Sequence, residues 1–183
     1  TVPEFPAITI SPSSMTVNES YSASIQGQQD IEIYPQVSGT ISRVLVKEGQ
    51  HVAKGQPMFI IDQVPYQAAL RTATANVHAA QAQVETARLD YESKKELFKE
   101  EVISDYDLQT AKNTLTAANA ALEQAKAGEV DARNSLSYTE VKSPAAGVVG
   151  TLPFKVGALV GPTITQPLTT VLDNTNMHVY FSM

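Results

Sequence analysis

Apolar and polar residues alternate in the first part of the chain with the period of two that is typical of half-buried β-strands. Residues 21–25, 31–33 and 44–46 follow this pattern, and glycines punctuate the expected turns. The sequence QGQQD at residues 26–30 lacks the alternation and predicts a break between the first two strands. A small, turn-rich β unit is therefore expected up to residue 64.

From Pro65 the period of the apolar residues changes from two to seven, which is typical of helices that pack as a coiled coil. Alanines alternate with the large residues, so the seam between the helices is expected to be narrow. Two helices are predicted, from Tyr66 to Lys99 and from Asp105 to Leu136, each about 50 Å long. The large residues of the predicted seam are Leu70, Val77, Val84, Tyr91 and Phe98 in the first helix and Leu108, Leu115, Leu122 and Leu136 in the second, where Glu129 interrupts the leucine series.

The short segment between the two helices contains a signal for a new helix start. Ser104 is a good N-cap, Asp107 stands three residues later as in a capping box, and Ile103 and Leu108 occupy the positions of a hydrophobic staple. The chain is therefore expected to reverse direction here, which predicts an antiparallel hairpin over residues 65–138.

The β pattern returns after Tyr138 and repeats the first β unit with a shift of 108 residues. Val149 then corresponds to Ile41, whereas a three-residue insertion is needed before the later strands align. Neither half can bury its apolar face alone, so residues 31–64 and 139–173 are expected to form one β domain. The glycines expected in its turns are Gly39, Gly49, Gly55, Gly147 and Gly157.

Composition argues against several classes of function. The 183-residue chain has a formal charge of -6 and no cluster of lysine or arginine, so nucleic acid is not an expected partner. It contains no cysteine, and His51, His78 and His178 lack the spacing of a helical metal site. The sequence shows no nucleophile paired with a general base, no phosphate-binding loop and no pair of carboxylates that would point to catalysis. We therefore expect neither an enzyme nor a bound metal or cofactor.

The two β segments together resemble a lipoyl or biotinyl carrier domain that the helical hairpin splits. Four segments are similar, in this order, to motifs of the membrane fusion family of periplasmic adaptors, especially those of RND (resistance-nodulation-division) efflux pumps: VSGTISRVLVKEGQHVAKGQPMFIID, PYQAAL, SYTEVKSPAAGVVG and HVYFS. The resemblance implies an α+β fold, a flattened lipoyl-like β-barrel split by a long antiparallel coiled-coil hairpin. It also implies strands of an incomplete β-barrel domain within residues 1–30 and at residues 174–183. Residues 1–14 are rich in proline, serine and threonine without periodicity, which predicts a tether at the start of this region.

The same resemblance implies a function and partners. Such adaptors link an inner-membrane RND transporter to an outer-membrane exit duct in the efflux of drugs or other small molecules. They work as homo-oligomers, trimers or hexamers, in the periplasm of Gram-negative bacteria, and an N-terminal segment anchors them to the inner membrane. Because apolar and polar residues alternate up to Met183, we also expect the chain to be a fragment of a longer adaptor.

The resemblance further implies that the hairpin tip contacts the exit duct, and we expect it to present Leu97, Ser104 and the loop between them. The positions that match the family's contact residues are Ser93, Leu97 and Ser104. Ser93 stands where the family has an arginine, and Lys94 or Lys95 beside it is the expected substitute.

Three alternatives stay open from the sequence. An adaptor of an ABC-type exporter or a type I secretion system would share the architecture and differ in its partner. A lipoyl or biotinyl carrier protein would need a modified lysine in the turn that the hairpin replaces, and no motif such as MKM or DKA occurs between Asp62 and Thr139. A plain coiled-coil scaffold would leave the split repeat unexplained.

Overall fold

The computed structural model describes Thr16 and residues 23–181, and it describes the side chains of Thr16 and residues 30–172. Within these residues it contains the strands β1 (Ala23–Ile33), β2 (Gly39–Val44), β3 (His51–Val52), β4 (Pro57–Ile61), β5 (Glu140–Lys142), β6 (Gly147–Val149), β7 (Leu159–Val160) and β8 (Thr169–Phe181). The helices are α1 (Val64–Lys99) and α2 (Asp105–Tyr138). The tether predicted at residues 1–14 and the strand ends predicted at Tyr21 and Met183 lie outside the described residues.

The strands form two four-stranded sheets, and each sheet combines strands from both halves of the chain. One sheet has the order β1-β8-β6-β3 and the other the order β5-β4-β2-β7. Exchanging the two halves of the repeat converts one order into the other. Backbone hydrogen bonds repeat in the same way: Gly49 N donates to Val149 O over 2.8 Å, and the equivalent Gly157 N donates to Ile41 O over 2.8 Å. The β domain therefore has an internal pseudo-two-fold axis.

The apolar faces of both halves meet in one core. Met58 and Phe59 from the first half are fully buried, and they share the core with Val149 and Leu168 from the second half. Full burial of such a side chain contributes about 2 kcal/mol, and either half folding alone would leave its apolar face exposed. The fold is of the α+β class that the sequence predicts, with the core built from segments on both sides of the hairpin.

Two of the predicted turn glycines lie in strands, so their assignment to turns is wrong. Gly39 begins β2 and Gly147 begins β6, and the repeat relates the two positions. A Cβ atom on Gly39 would lie 2.6 Å from Ile61 Cγ2, and one on Gly147 would lie 2.5 Å from Leu172 O. Glycine is needed here because a neighbouring strand approaches closely. The three glycines with positive φ angles in turns are Gly49 at 75°, Gly55 at 81° and Gly157 at 92°.

The strand break predicted at residues 26–30 is also wrong, because β1 runs through this segment. β1 pairs with β8 in an antiparallel manner, and the register shifts between Gly27 and Gln29. At the shift, residues 174–176 of β8 stand where β1 contributes Gln28 alone. The loss of alternation therefore marks an irregularity within a continuous strand pair.

Helices α1 and α2 pack against each other along the predicted heptad seam. The buried residues of the two helices are Ala80, Val84, Ala87, Ala111 and Leu122. Val77, Leu115, Ala118 and Ala125 are partly buried beside Ala80, Val84 and Leu122, and Leu70, Tyr91 and Leu108 are half-buried. Phe98 is 39% exposed, so the seam ends before it and not at it. α1 begins two residues before the predicted Tyr66, since proline is tolerated in a first helical turn, and α2 continues to Tyr138.

A polar contact crosses the hairpin where Glu129 interrupts the leucine series of α2. Thr74 Oγ1 donates to Glu129 Oε1 over 2.7 Å, and Arg133 Nη2 lies 3.4 Å from the same oxygen. Sliding one helix along the other would separate Thr74 from a carboxylate that is only 21% exposed. This contact therefore helps to set the register of the two helices.

Candidate functional site at the hairpin tip

The turn that joins α1 to α2 is closed by hydrogen bonds of its own backbone. Glu101 N donates to Phe98 O and Val102 N donates to Leu97 O, each over 3.0 Å, which is the pattern of a Schellman motif. Glu101 has a φ of 58°, the left-handed conformation that glycine usually provides. The turn thus has a defined shape, and it maintains that shape against backbone strain at Glu101.

The start of α2 is held by a capping box between Ser104 and Asp107. Ser104 Oγ donates to Asp107 Oδ2 over 2.6 Å, Ser104 N donates to the same oxygen over 3.2 Å, and Asp107 N donates to Ser104 Oγ over 3.3 Å. The hydrogen bonds from the side chain and the backbone of Ser104 lower the pKa of Asp107, and the charge of Lys94 lowers it further. The predicted helix start at Asp105, with Ser104 as its N-cap, is confirmed.

Four large apolar side chains around this turn are exposed, and together we call them the tip patch. Leu97 is 37% exposed, Phe98 39%, Val102 65% and Tyr106 78%. Single exposed apolar residues are ordinary on protein surfaces, but several of them together at the end of a hairpin are typical of a surface that binds another protein. The tip therefore presents apolar side chains in and beside a turn that two capping motifs hold in shape.

The positions predicted for the exit-duct contact are only partly within the tip patch. Leu97 belongs to it, whereas Ser104 uses its side chain in the capping box. Ser93 is exposed on α1, and Lys94 is half-buried with its Nζ 3.3 Å from Asp90 Oδ2. The cation of Lys94 is thus paired along its own helix.

Of the two most exposed members of the tip patch, sequence reasoning includes Val102 only as part of the loop between Leu97 and Ser104, and it misses Tyr106. The available signal was that both are large apolar residues that fall off the heptad seam, one in the turn and one in the first turn of α2. Seam periodicity identifies residues that pack between the helices, so it cannot by itself select residues that face outward.

The charges around the tip are mostly negative. Residues 94–107 contain five carboxylates and three lysines. Lys99 Nζ lies 2.7 Å from Glu96 Oε1, and the hydrogen bond from Lys99 together with its charge lowers the pKa of Glu96. The tip is consequently apolar with an acidic surround, which differs from the cationic contact that the family's arginine implies.

The base of the hairpin is tied to the β domain by hydrogen bonds. Gln63 Nε2 donates to Oγ1 of the fully buried Thr139 over 3.0 Å, and Tyr66 Oη donates to Ser38 O over 2.7 Å. From this base the 36 residues of α1 extend about 54 Å. The tip is therefore carried far from the β domain on an arm whose base is held at several points.

Glycine in place of Glu101 should stabilise the hairpin. Because Glu101 is in the left-handed region, Glu101→Gly should raise the free energy of unfolding by about 0.5–1 kcal/mol, measured by urea denaturation. The matched control is Glu100→Gly, since Glu100 has a φ of -85° and should lose stability on the same change. Equal losses for both variants would contradict the strain at Glu101.

The described residues contain neither a cluster of metal-binding side chains nor a helix that could cross a membrane. Over Thr16 and residues 23–181, no set of three or more histidine, aspartate and glutamate side chains is arranged to hold a metal ion. In the same part of the chain, neither helix combines the length and hydropathy needed to cross a membrane.

Comparison with known proteins finds relatives over most of the chain. The family model described as RND MFP (membrane fusion protein), barrel-sandwich hybrid domain, matches residues 29–172. Multidrug resistance protein MdtE of Escherichia coli K12 is 34% identical over 169 residues, which are 92% of this chain and 44% of MdtE. The efflux pump periplasmic linker BepF of Brucella suis is 31% identical over 162 residues, which are 88% of this chain and 39% of BepF. The chain spans less than half the length of these two relatives.

Solved structures share the fold. A chimera of MacA and MexA that contains the α-hairpin domain of Pseudomonas aeruginosa MexA is 32% identical, with a TM-score of 0.68 over 86% of this chain and 50% of the chimera. MacA from Actinobacillus actinomycetemcomitans is 28% identical, with a TM-score of 0.67 over 87% of this chain and 54% of that protein. The predicted α+β fold and the resemblance to periplasmic adaptors are confirmed. With its split β domain and helical hairpin, the chain belongs to the RND membrane fusion protein family, as a barrel-sandwich hybrid domain.

Proposed function

We propose that the protein is the periplasmic adaptor of an RND-type pump for drugs or other small molecules, and that its hairpin tip docks on the outer-membrane exit duct. The observation that carries the proposal is the tip patch, four exposed apolar side chains in and beside the capped turn at the far end of a long arm. The names of the relatives, a multidrug resistance protein and an efflux pump periplasmic linker, support the same role.

The proposal extends to the rest of the assembly. The second partner is an inner-membrane RND transporter, the adaptor works as a homo-oligomer, and it is anchored to the inner membrane on the periplasmic side. The role is binding and not catalysis. In support, the shifted pKa values within the described residues belong to Tyr34, Glu96 and Asp107, and in each the largest cause is a hydrogen bond with a neighbouring surface residue.

The two ends of the hairpin have different roles in this proposal: the base attaches to the β domain and the tip docks. The hydrogen bonds at Gln63 and Tyr66 hold the base of the hairpin on the β domain, and the Schellman motif and capping box hold the tip. An apolar surface that is already ordered loses little conformational entropy on docking. Burial of the tip patch supplies affinity, and the acidic surround restricts the partner surfaces that it can approach.

Site-specific photo-crosslinking in cells tests the proposal. The chain has no cysteine, so a single cysteine can carry a benzophenone label in the gene product that contains this chain. We expect labels at Val102→Cys and Tyr106→Cys to give an adduct with the exit duct. The control is Gln81→Cys, which is exposed in the middle of α1. Adducts from Gln81→Cys alone, or no adduct from either tip position, would show that the tip is not the contact.

The carrier alternative gains no support from the fold. A carrier needs a modified lysine on the connection between β4 and β5, and here that connection consists of α1, α2 and the tip turn. Lys54, the lysine of the first β unit that precedes a glycine, is exposed on a different turn, before β4.

A further inference from the structure

A groove of about 410 Å³ lies between β1 and β5, the outer strands of the two sheets on one side of the β domain. Glu32 of β1 and Glu140 of β5 line it, and the 108-residue repeat relates them. Tyr34 donates a hydrogen bond to Glu32 over 2.9 Å, which raises the pKa of Tyr34, and Lys142 Nζ lies 3.3 Å from Glu140 Oε2. With two carboxylates and one lysine, this glutamate groove has a net negative charge.

A second groove, of about 470 Å³, lies between the turns that follow β2 and β6. Lys47 and Lys155 line it and are also related by the repeat; both are exposed, and within the described residues neither forms an ion pair. The carboxylate of Glu48 accepts a hydrogen bond from Leu152 N over 2.8 Å. This lysine groove therefore has a net positive charge. Its apolar lining consists of Val44, Val46, Leu152, Phe154 and Val156.

The two grooves face opposite sides of the β domain. Each is lined by residues that the pseudo-two-fold axis relates, so the axis passes through both. The glutamate groove lies at the margin of β1 and β5, whereas the turns of the lysine groove lead into β3 and β7 at the opposite margin. Rotation about this axis moves the β4–β5 connection, which carries the hairpin, to the end of the β domain where Ala23 of β1 pairs with Phe181 of β8. It therefore runs across the long direction of the molecule, and the grooves open laterally.

We propose that copies of this chain associate head to tail, with the lysine groove of one copy against the glutamate groove of the next. The inference rests on the homo-oligomer in the proposed function and gives it an interface. When the pseudo-two-fold axes of two copies are nearly collinear, Lys47 and Lys155 of one copy meet Glu32 and Glu140 of the other at the same time. Two lysine grooves facing each other would bring like charges together, which disfavours a closed two-fold dimer.

Exposed apolar residues beside both grooves provide contact area for this interface. Tyr34 and Tyr138 line the glutamate groove and are 40% and 43% exposed, and Val156 at the lysine groove is 62% exposed. Exposed ion pairs alone add little affinity, so the apolar contact supplies affinity and the charges select the orientation. Because one face binds a different face, the contact repeats from copy to copy and builds a ring or an open chain.

Charge reversal tests the interface in the purified chain. Lys47→Glu with Lys155→Glu makes both grooves negative, and Glu32→Lys with Glu140→Lys makes both positive. For each double variant alone, we expect the association constant from sedimentation velocity at low salt to fall by about tenfold or more. An equimolar mixture of the two should recover association, because each altered groove then meets one of opposite charge.

The control for charge reversal is Lys54→Glu with Lys95→Glu, which changes the net charge equally at exposed positions outside the grooves. This variant should retain the association constant of the unaltered chain. A mixture that does not associate, a control that loses as much as the groove variants, or an unaltered chain that stays monomeric at low salt would each overturn the proposal.

Engineered cysteines test the orientation, since the natural chain has none. Tyr34→Cys and Val156→Cys in one chain should form an oxidised ladder of dimers, trimers and larger species, whereas Val156→Cys alone should stay monomeric. Dimers of Val156→Cys alone, or the absence of a ladder, would contradict head-to-tail packing. These measurements involve neither the hairpin tip nor the exit duct, so their failure and a failure of tip docking are distinguishable.

Discussion

Replacing Leu97 with aspartate should abolish efflux while leaving the protein folded. Leu97 is 37% exposed at the end of α1 and belongs to the tip patch, so the substitution places a charge in the proposed docking surface and not in the core. Burying an unpaired carboxylate against the exit duct would cost more than the lost apolar contact alone. The measurement is efflux of a fluorescent substrate by cells that carry the variant, together with circular dichroism of the purified protein.

The matched control for this prediction is Val130→Asp. Val130 is 52% exposed on α2, closer to the base of the hairpin, and the change introduces the same charge at an exposed apolar position. Efflux should persist in Val130→Asp. Normal efflux in Leu97→Asp, with the protein present at its usual level, would show that the tip patch is not the docking surface.

Alanine in place of Gly147 should destabilise the β domain strongly. The added Cβ would lie 2.5 Å from Leu172 O and 2.8 Å from Val171 Cγ1, so the backbone of β8 must move. We expect the free energy of unfolding to fall by about 3 kcal/mol, the upper part of the range for overpacking. Urea denaturation followed by circular dichroism measures this loss.

Two other glycines provide controls for Gly147→Ala. At the equivalent Gly39 the obstructing atom is Ile61 Cγ2, a side-chain methyl group and not a backbone atom, so Gly39→Ala should cost less than Gly147→Ala. Gly128 lies in α2 with no atom near its missing Cβ, and Gly128→Ala should raise stability by about 1 kcal/mol because alanine favours the helix. A loss in Gly147→Ala no larger than that in Gly39→Ala would contradict the assigned contact.

The sequence is most informative where local interactions decide the structure. The period of seven predicts the two helices and their seam, because residues seven apart on one helix meet the same partner helix. Ser104 and Asp107 predict the start of α2 correctly, because a capping box involves only residues within one turn. The repeat likewise predicts that both β segments share a core, since neither can bury its apolar face alone.

The tertiary structure decides features that depend on residues distant along the chain. Gly39 and Gly147 look like turn glycines in the sequence, but their requirement comes from Ile61 and Leu172 on neighbouring strands. The continuity of β1 likewise depends on its pairing with β8, which the local pattern of QGQQD does not contain.

Surface properties, unlike the helices and their seam, also depend on the folded chain. By itself, the sequence determines the hairpin, its seam and the two halves of the β domain, because periodicity and capping report on neighbours along a helix or strand. Only the folded chain shows that Val102 and Tyr106 join Leu97 in an exposed patch. It also brings Lys47 beside Lys155 at one groove, although they are 108 positions apart in the sequence. Exposure and charge clustering arise from how distant segments pack together, and no local pattern in the chain encodes that arrangement.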